Sequence, residues 1–417
     1  MNHIGCPDCD LIMELPVLRA GQRAFCPRCN HLLTHRAHRA LERSAAFAMA
    51  ALIFLILANL YPFIFFEASG HTQVMTLFQS AQELFRNGSE VLSFFVLAFI
   101  IIFPALILCG QLLVLGPILL KRRPVSGCRI WARFIFTLGP WSMAEVFILG
   151  VLASLIKIAS MATIVLGLSF WAYVAFALCF LAAAARLDRY QFWRTILPFP
   201  IPKAVSGQTA IRQGLVQCHI CTLMSPAALE LCPRCGAGLH CRISQSLQRT
   251  LALLITAGIL YLPANMLPIT HTDQFGNITD STIVGSAILM WQLGSYPVSI
   301  IIFVASIFIP LAKLFGLSWL CWSVSRSSSL LPRQRTSLYR ITEFVGRWSM
   351  VDVFVVAILV SLVQLGGILT IRPGPAALAF SGVVIITMLA AEAFDPRLIW
   401  DKLEDNYSDA STSKDHS

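Results

Sequence analysis

The sequence predicts an all-α polytopic membrane protein, with eight transmembrane helices arranged as two parallel four-helix repeats, each preceded by a small cytoplasmic ribbon domain. Three observations carry this. The chain is 57% hydrophobic and only 12% charged over 417 residues, against roughly 25% charged in soluble domains. The stretch Trp141-Ser142-Met143-Ala144-Glu145-Val146-Phe147 returns 207 residues later as Trp348-Ser349-Met350-Val351-Asp352-Val353-Phe354, each time with an acid inside an apolar helix. Finally, eight of the thirteen cysteines fall into four C-x-x-C pairs.

The elements follow in order. Residues 1–43 form a first soluble ribbon with Cys6, Cys9, Cys26 and Cys29. Spans at about 44–66, 91–120, 135–160 and 161–185 make a first transmembrane module over 44–185. Residues 186–249 are a linker and a second ribbon holding Cys218, Cys221, Cys232 and Cys235. Spans at about 250–269, 298–322, 344–369 and 376–393 make a second module over 250–393, and the polar, acidic tail 394–417 is expected to be disordered. Runs of about 20 apolar residues cross ~30 Å of hydrocarbon as helices, whereas barrel strands would be short and alternating.

The duplication holds residue by residue. Asn59 matches Asn265, Pro62 matches Pro268, Pro104 matches Pro310, Ser154 matches Ser361, Asp188 matches Asp395 and Trp193 matches Trp400, all at an offset of 206 or 207. Four spans is an even number, so both copies start from the same side and are related by an axis along the membrane normal.

Orientation comes from the basic residues. Segments 1–43, 121–133, 186–249 and 323–347 carry 6, 5, 8 and 5 Lys or Arg, while 67–90 and 270–297 carry one and none. The basic side faces the cytoplasm, so both termini and both ribbons are expected there. Nothing at the start resembles a cleaved signal peptide. The formal charge of +10 follows from the same loops, and no nucleic-acid partner is expected.

The pairs spell C-x2-C-x16-C-x2-C and C-x2-C-x10-C-x2-C. Two knuckles of two thiolates make a tetrahedral S4 site of the kind structural Zn²⁺ fills. Iron or a redox pair is the alternative, though a thioredoxin-like motif would need a βαβ setting that the sequence lacks. His31, His219 and His240 read as surface residues, and Cys109, Cys128, Cys179, Cys241 and Cys321 as packing residues.

Inside the membrane, Glu145, Asp352 and Lys313 stand at similar depths, and Lys313 is expected to pair with Asp352. A charge at the bilayer centre costs at least ~2.5–3.5 kcal/mol, so such groups either lock helices together or line a polar path. Ile107 stands where the second copy has Lys313, and Lys157 where it has Gln364, so the copies are not equivalent. Asn59 and Asn265, next to helix-breaking prolines, are expected to cap freed backbone groups or, less simply, to bind a polar head group. No P-loop, H-E-x-x-H or G-x-S-x-G motif is present, so enzyme activity is not expected.

A doubled C-x-x-C ribbon, four spans and the motif W-[SG]-M-x-[ED]-[VI]-[FY], all repeated over about residues 1–403, resemble the paraquat-inducible protein A family. The resemblance implies an inner-membrane protein of Gram-negative bacteria, partnered with a periplasmic MCE-domain tunnel and moving phospholipid between membranes. A redox- or metal-responsive membrane regulator is the competing expectation, and a small-molecule exporter a third.

Overall fold

Hydrocarbon offers no partner for a backbone amide, so the apolar runs fold as helices that satisfy themselves. The structure, a computed structural model, describes residues 2–401 except 69–70, 87, 89, 123–126, 159–162, 275–276, 293, 295, 327–330, 363 and 366–368.

The first ribbon is two hairpins, β1 (Asn2–Gly5) with β2 (Ile12–Leu15) and β3 (Arg23–Phe25) with β4 (Leu32–His35). Each turn holds one C-x-x-C. Asp10 and Asn30 close these knuckles with φ of 61° and 59°, donating their N–H to the Cys6 and Cys26 carbonyls at 2.9 Å. Asp and Asn are the residues that tolerate this left-handed conformation.

Helix α1 (Ala40–Leu60) leads to the hairpin β5 (Ile64–Ala68) and β6 (His71–Met75), then to α2 (Leu77–Arg86) and α3 (Glu90–Leu97). A π-helical turn, Ala98–Ile102, joins α3 to α4 (Phe103–Leu119). Pro104 explains the turn: its ring excludes the carbonyl four residues back, and the Phe103 N–H bonds five residues back, to Ala98. Next come α5 (Cys128–Leu138), α6 (Ala144–Ile158), β7 (Thr163–Leu166), α7 (Leu168–Arg186) and α8 (Arg189–Ile196). The second ribbon contains β8 (Leu215–Gln217) and β9 (Met224–Pro226).

The same order then recurs. Helix α9 (Ser246–Met266), the hairpin β10 (Thr270–Gln274) and β11 (Asn277–Ser281), α10 (Ile283–Gln292) and α11 (Tyr296–Phe303) lead to a π-helical turn at Val304–Phe308, which ends two residues before Pro310 in α12 (Ile309–Ser325). Helix α13 (Pro332–Gly346) runs through a 3₁₀ turn, Arg347–Met350, into α14 (Val351–Leu362). Strands β12 (Gln364–Leu365) and β13 (Leu369–Pro373) precede α15 (Pro375–Ala393).

The fold is therefore mostly helical rather than all-α. Strands cap the spans in sheets of order β6-β5-β7 and β11-β10-β13-β12. The first span stops at Leu60, not near 66, because Pro62 lacks the next helical donor and Ile64-Phe65-Phe66 pair as strand. Likewise the fourth span starts at Leu168, since the β-branched run Thr163-Ile164-Val165 pairs with β5. Among the described residues seven helical segments are long and apolar enough to cross a membrane. The segment expected as the seventh of eight spans has its apolar part in the 12-residue α14, with α13 and the 3₁₀ turn before it.

The two halves meet along α6 and α14, the helices that carry the repeated acids. Phe147 and Phe354 pack edge to face with centroids 5.7 Å apart, and Gly150 lies under Phe354, where an added Cβ would stand 2.9 Å from the Phe354 Cβ. Ser154 Oγ donates to the Gly150 carbonyl at 2.8 Å and reaches the Val355 carbonyl at 3.4 Å.

Gly167 and Gly374 hold the sheets to the helix ends, donating their N–H to Phe63 and Ile269 carbonyls at 3.0 and 2.8 Å. A Cβ at either would run into the carbonyl of Pro62 or Pro268, and backbone cannot swing aside as a side chain can. Gly374→Ala is expected to cost at least ~1–3 kcal/mol, the range for overpacking. Thermal unfolding of the purified full chain checks this: Gly374→Ala should melt clearly below wild type, and Gly258→Ala, in open space, should not.

Candidate functional site

In each ribbon four buried thiols converge, with all four Sγ within 4.8 Å of one another. Cys6 and Cys29 Sγ are 3.4 Å apart, Cys9 and Cys26 3.5 Å, Cys218 and Cys235 3.5 Å, Cys221 and Cys232 3.4 Å. Four thiolates at ~2.3 Å from a tetrahedral ion would stand ~3.8 Å apart, so both clusters fit a metal ion with little movement. Among the described residues no fifth ligand is needed. His31, His219 and His240 lie outside the clusters; His31 Nδ1 instead meets Asp8 Oδ2 at 2.9 Å.

The ribbons brace the bundle crosswise. The knuckles of the first ribbon sit on the second half: Arg340 of α13 donates to Asp8 Oδ2 at 2.7 Å and to the Cys29 carbonyl at 3.1 Å, and Arg333 donates to the Arg28 carbonyl at 2.8 Å. The Arg28 guanidinium in turn lies 4.7 Å from the Trp400 ring centre. The second ribbon sits on the first half, where Arg189 donates to the His219 carbonyl at 2.8 Å and Arg129 to the Pro233 carbonyl at 3.0 Å.

Acids at matched places tie the strands down. Asp188, at the N-cap of α8, accepts from Thr34 Oγ1 and the His35 N–H, both at 2.9 Å; Asp395 accepts from the Ile243 N–H at 3.1 Å. Between the ribbons, Arg242 bridges Asp10 at 3.1 Å and Asp401 at 2.5 Å. Burial alone would raise the Asp8 carboxyl, but the hydrogen bond and charge of His31, with Arg340, hold it below its ordinary value.

Deeper in the second half, Lys313 is 2% exposed. Its Nζ donates to Thr387 Oγ1 of α15 at 2.8 Å, and Thr387 donates onward to the Val384 carbonyl at 2.9 Å. Gly346 makes the room, since a Cβ there would stand 3.0 Å from Nζ. The ammonium borders a cavity of about 340 Å³ walled also by Arg340, Glu343 and Glu392, and by Gly139 and Pro140 of the first half. At the matching offsets the first half has Ile107 and Phe180, both buried. A polar pair in one copy thus replaces an apolar pair in the other.

The remaining expectations resolve unevenly. The described partner of Lys313 is Thr387; the expected pairing with Asp352 falls on a side chain that, like that of Lys157, lies outside the described residues. Glu145 is half-buried near Tyr173, whose buried hydroxyl has no hydrogen-bond partner among the described residues. Asn59 and Asn265 donate to the Leu55 and Tyr261 carbonyls at 2.8 and 3.0 Å, each one turn back in its own helix. Sequence reading missed Thr387, Gly346, Glu343 and Glu392; comparing the copies position by position would have exposed Thr387 against Phe180.

Fold and site together define a multi-pass helical membrane protein with two four-cysteine ribbons and a charged pocket where the halves meet. The family model for paraquat-inducible protein A matches residues 41–196 and 247–404, and the chain belongs to that family. It is 42% identical to the "Intermembrane transport protein PqiA" of Escherichia coli (strain K12) across 96% of both chains. It is 30% identical to the "Lipophilic envelope-spanning tunnel protein A" of the same organism, over 96% of this chain and 91% of that one. A "Probable intermembrane transport protein" of Haemophilus influenzae is 28% identical over 95% of both. No solved structure matches the chain.

Elemental analysis of purified full chain is expected to find two metal ions per chain, and one after Cys232→Ser. Arg340→Met should leave both ions in place yet loosen the first ribbon, seen as faster proteolysis near its β-hairpins. Unchanged cleavage would show that the cross-brace is not what holds it.

Proposed function

We propose that the chain is an inner-membrane subunit of an intermembrane phospholipid transport system, passing lipid to or from a periplasmic MCE-domain tunnel. Eight spans in two parallel repeats, along the domain boundaries read from the sequence, would carry both termini and both ribbons on the cytoplasmic side. The ribbons hold structural Zn²⁺, which supplies much of the folding free energy that domains this small cannot draw from a core. No catalytic role is proposed; the relatives are named for transport.

The observation that carries this reading is the cavity at the junction of the halves, with the Lys313 ammonium in its wall. An ion kept in hydrocarbon at such cost marks a substrate or ion pathway more often than a brace. Lys313, Asp352, Glu145 and Lys157 would form that polar path, and Asn59 and Asn265 would keep the span ends in shape beside it. All eight ribbon cysteines are buried, which suits structural metal and disfavours a sensor of exchangeable thiols.

The test is transfer of labelled phospholipid from liposomes containing the full chain to a soluble MCE-domain protein. Transfer should exceed protein-free liposomes, fall by tenfold or more (about 1.4 kcal/mol in the barrier) with Lys313→Met at equal incorporation, and survive Asn59→Ala. Equal rates with and without the chain would overturn the proposal.

A further inference from the structure

The hairpins α2–α3 and α10–α11 stand at matching places at the end of the bundle away from the ribbons, and the same bond pins each. Ser93 Oγ donates to the Ala81 carbonyl at 2.5 Å, and Ser299 Oγ to the Ala287 carbonyl at 2.7 Å. Their surroundings differ. Helix α2 lies along α14, where Val356 and Leu359 are buried, whereas α10 packs chiefly on α11 and the matching Leu149 and Leu152 of α6 stay exposed. Between α10 and α11 runs a groove of about 320 Å³ lined by Ala287, Ile288, Trp291, Ser299, Ile300 and Phe303.

At the offset of 206, Gln82, Glu83, Arg86 and Glu90 of the first hairpin become Ile288, Leu289, Gln292 and Tyr296. Three charges are gone, yet all four second-half residues are exposed. A face suited to water in one copy is therefore suited to hydrocarbon in the other. The groove also opens onto the outer face of a membrane-capable segment, Ser299–Ser325, where exposed Ile300, Val304, Phe308 and Phe315 carry the apolar surface onward. At its other end Trp291 and Tyr296 pack edge to face with centroids 4.9 Å apart, and exposed aromatics of this kind sit at head-group level.

The lining holds no charge, and its one hydroxyl is taken up by Ala287. A free fatty acid would bring a carboxylate, and residues 270–297 contain no Lys or Arg to meet it. The tail of a phospholipid brings none. We propose that the α10–α11 groove seats one acyl chain of a phospholipid from the leaflet away from the ribbons, with its head-group end at Trp291 and Tyr296. The inference rests on the lipid reading above and adds a tail site that shares no lining residue with the Lys313 cavity.

Detergent-solubilised full chain, mixed with a phosphatidylcholine carrying a diazirine in its tail and irradiated, tests it by mass-spectrometric mapping of the adducts. Label per residue on α10 and α11 should exceed that around Phe315 by about tenfold, the preference that enclosing a few methylenes supplies. Excess unlabelled phosphatidylcholine should displace it. Grafting the first copy's face onto α10 as Ile288→Gln, Leu289→Glu and Gln292→Arg changes only exposed residues, and should bring the groove down to the Phe315 level with metal content and melting temperature unchanged. Equal label at both places in wild type, or groove label that survives the graft, overturns the inference. Displacement by oleate at equal concentration overturns its phospholipid form, and a benzophenone side chain at Ile300 that captures protein rather than lipid in cells gives the groove to a partner helix instead. Lipid transfer by wild type without groove label overturns this inference alone; groove label without transfer overturns the transport reading alone.

Discussion

A lysine buried among apolar helices constrains everything around it. Lys313 needs α12, α13 and α15 to converge, a hydroxyl on α15 to accept its hydrogen bond and a glycine on α13 to leave it space, and the second half supplies the last two as Thr387 and Gly346. The first half keeps Gly139 at the matching offset but places Ile107 and Phe180 where the polar pair would be. One copy has kept a packed apolar junction while the other has a charged cavity. The apolar copy contributes Gly139 and Pro140 to the cavity wall, so its role is to enclose as much as to span.

The cross-bracing follows from the same need. Two helical halves in lipid gain little from apolar contact with each other, because lipid tails are equally apolar. Close approach at Gly150 and the Phe147–Phe354 pair supply packing in the membrane. Outside it, each ribbon reaches the half that is not its nearest in sequence, through Arg340 and Arg333 on one side and Arg129 and Arg189 on the other. The Arg340 guanidinium that holds Asp8 and Cys29 also walls the cavity, which joins the first cysteine cluster to the pocket by a single side chain.

Much of this was legible in the sequence because it rests on local, periodic signals. Apolar length gave the helices, C-x-x-C spacing gave the clusters, and matched Pro104 and Pro310 marked what proved to be π-helical turns. The strands were missed because Phe63-Ile64-Phe65-Phe66 and Thr163-Ile164-Val165 are as apolar as a span, and only β-branching and Pro62 distinguish them. Lys313 was found from its charge, but its hydroxyl partner was not: a lone Thr387 in an apolar helix carries no signal until set against Phe180. Crossed ribbons could not be read at all, since long-range docking depends on carbonyls and arginine reach rather than on any spacing.

Photo-crosslinking from inside the cavity tests the central claim most directly. A benzophenone side chain in place of Met388, which lines the cavity beside Lys313, should capture phospholipid in cells, and Lys313→Met should abolish that capture. The same group at Phe315, 71% exposed on the outer surface, should capture bulk lipid whether or not Lys313 is present. Capture at Met388 that ignores Lys313, or no capture there at all, would contradict a buried ammonium serving as the lipid's anchor.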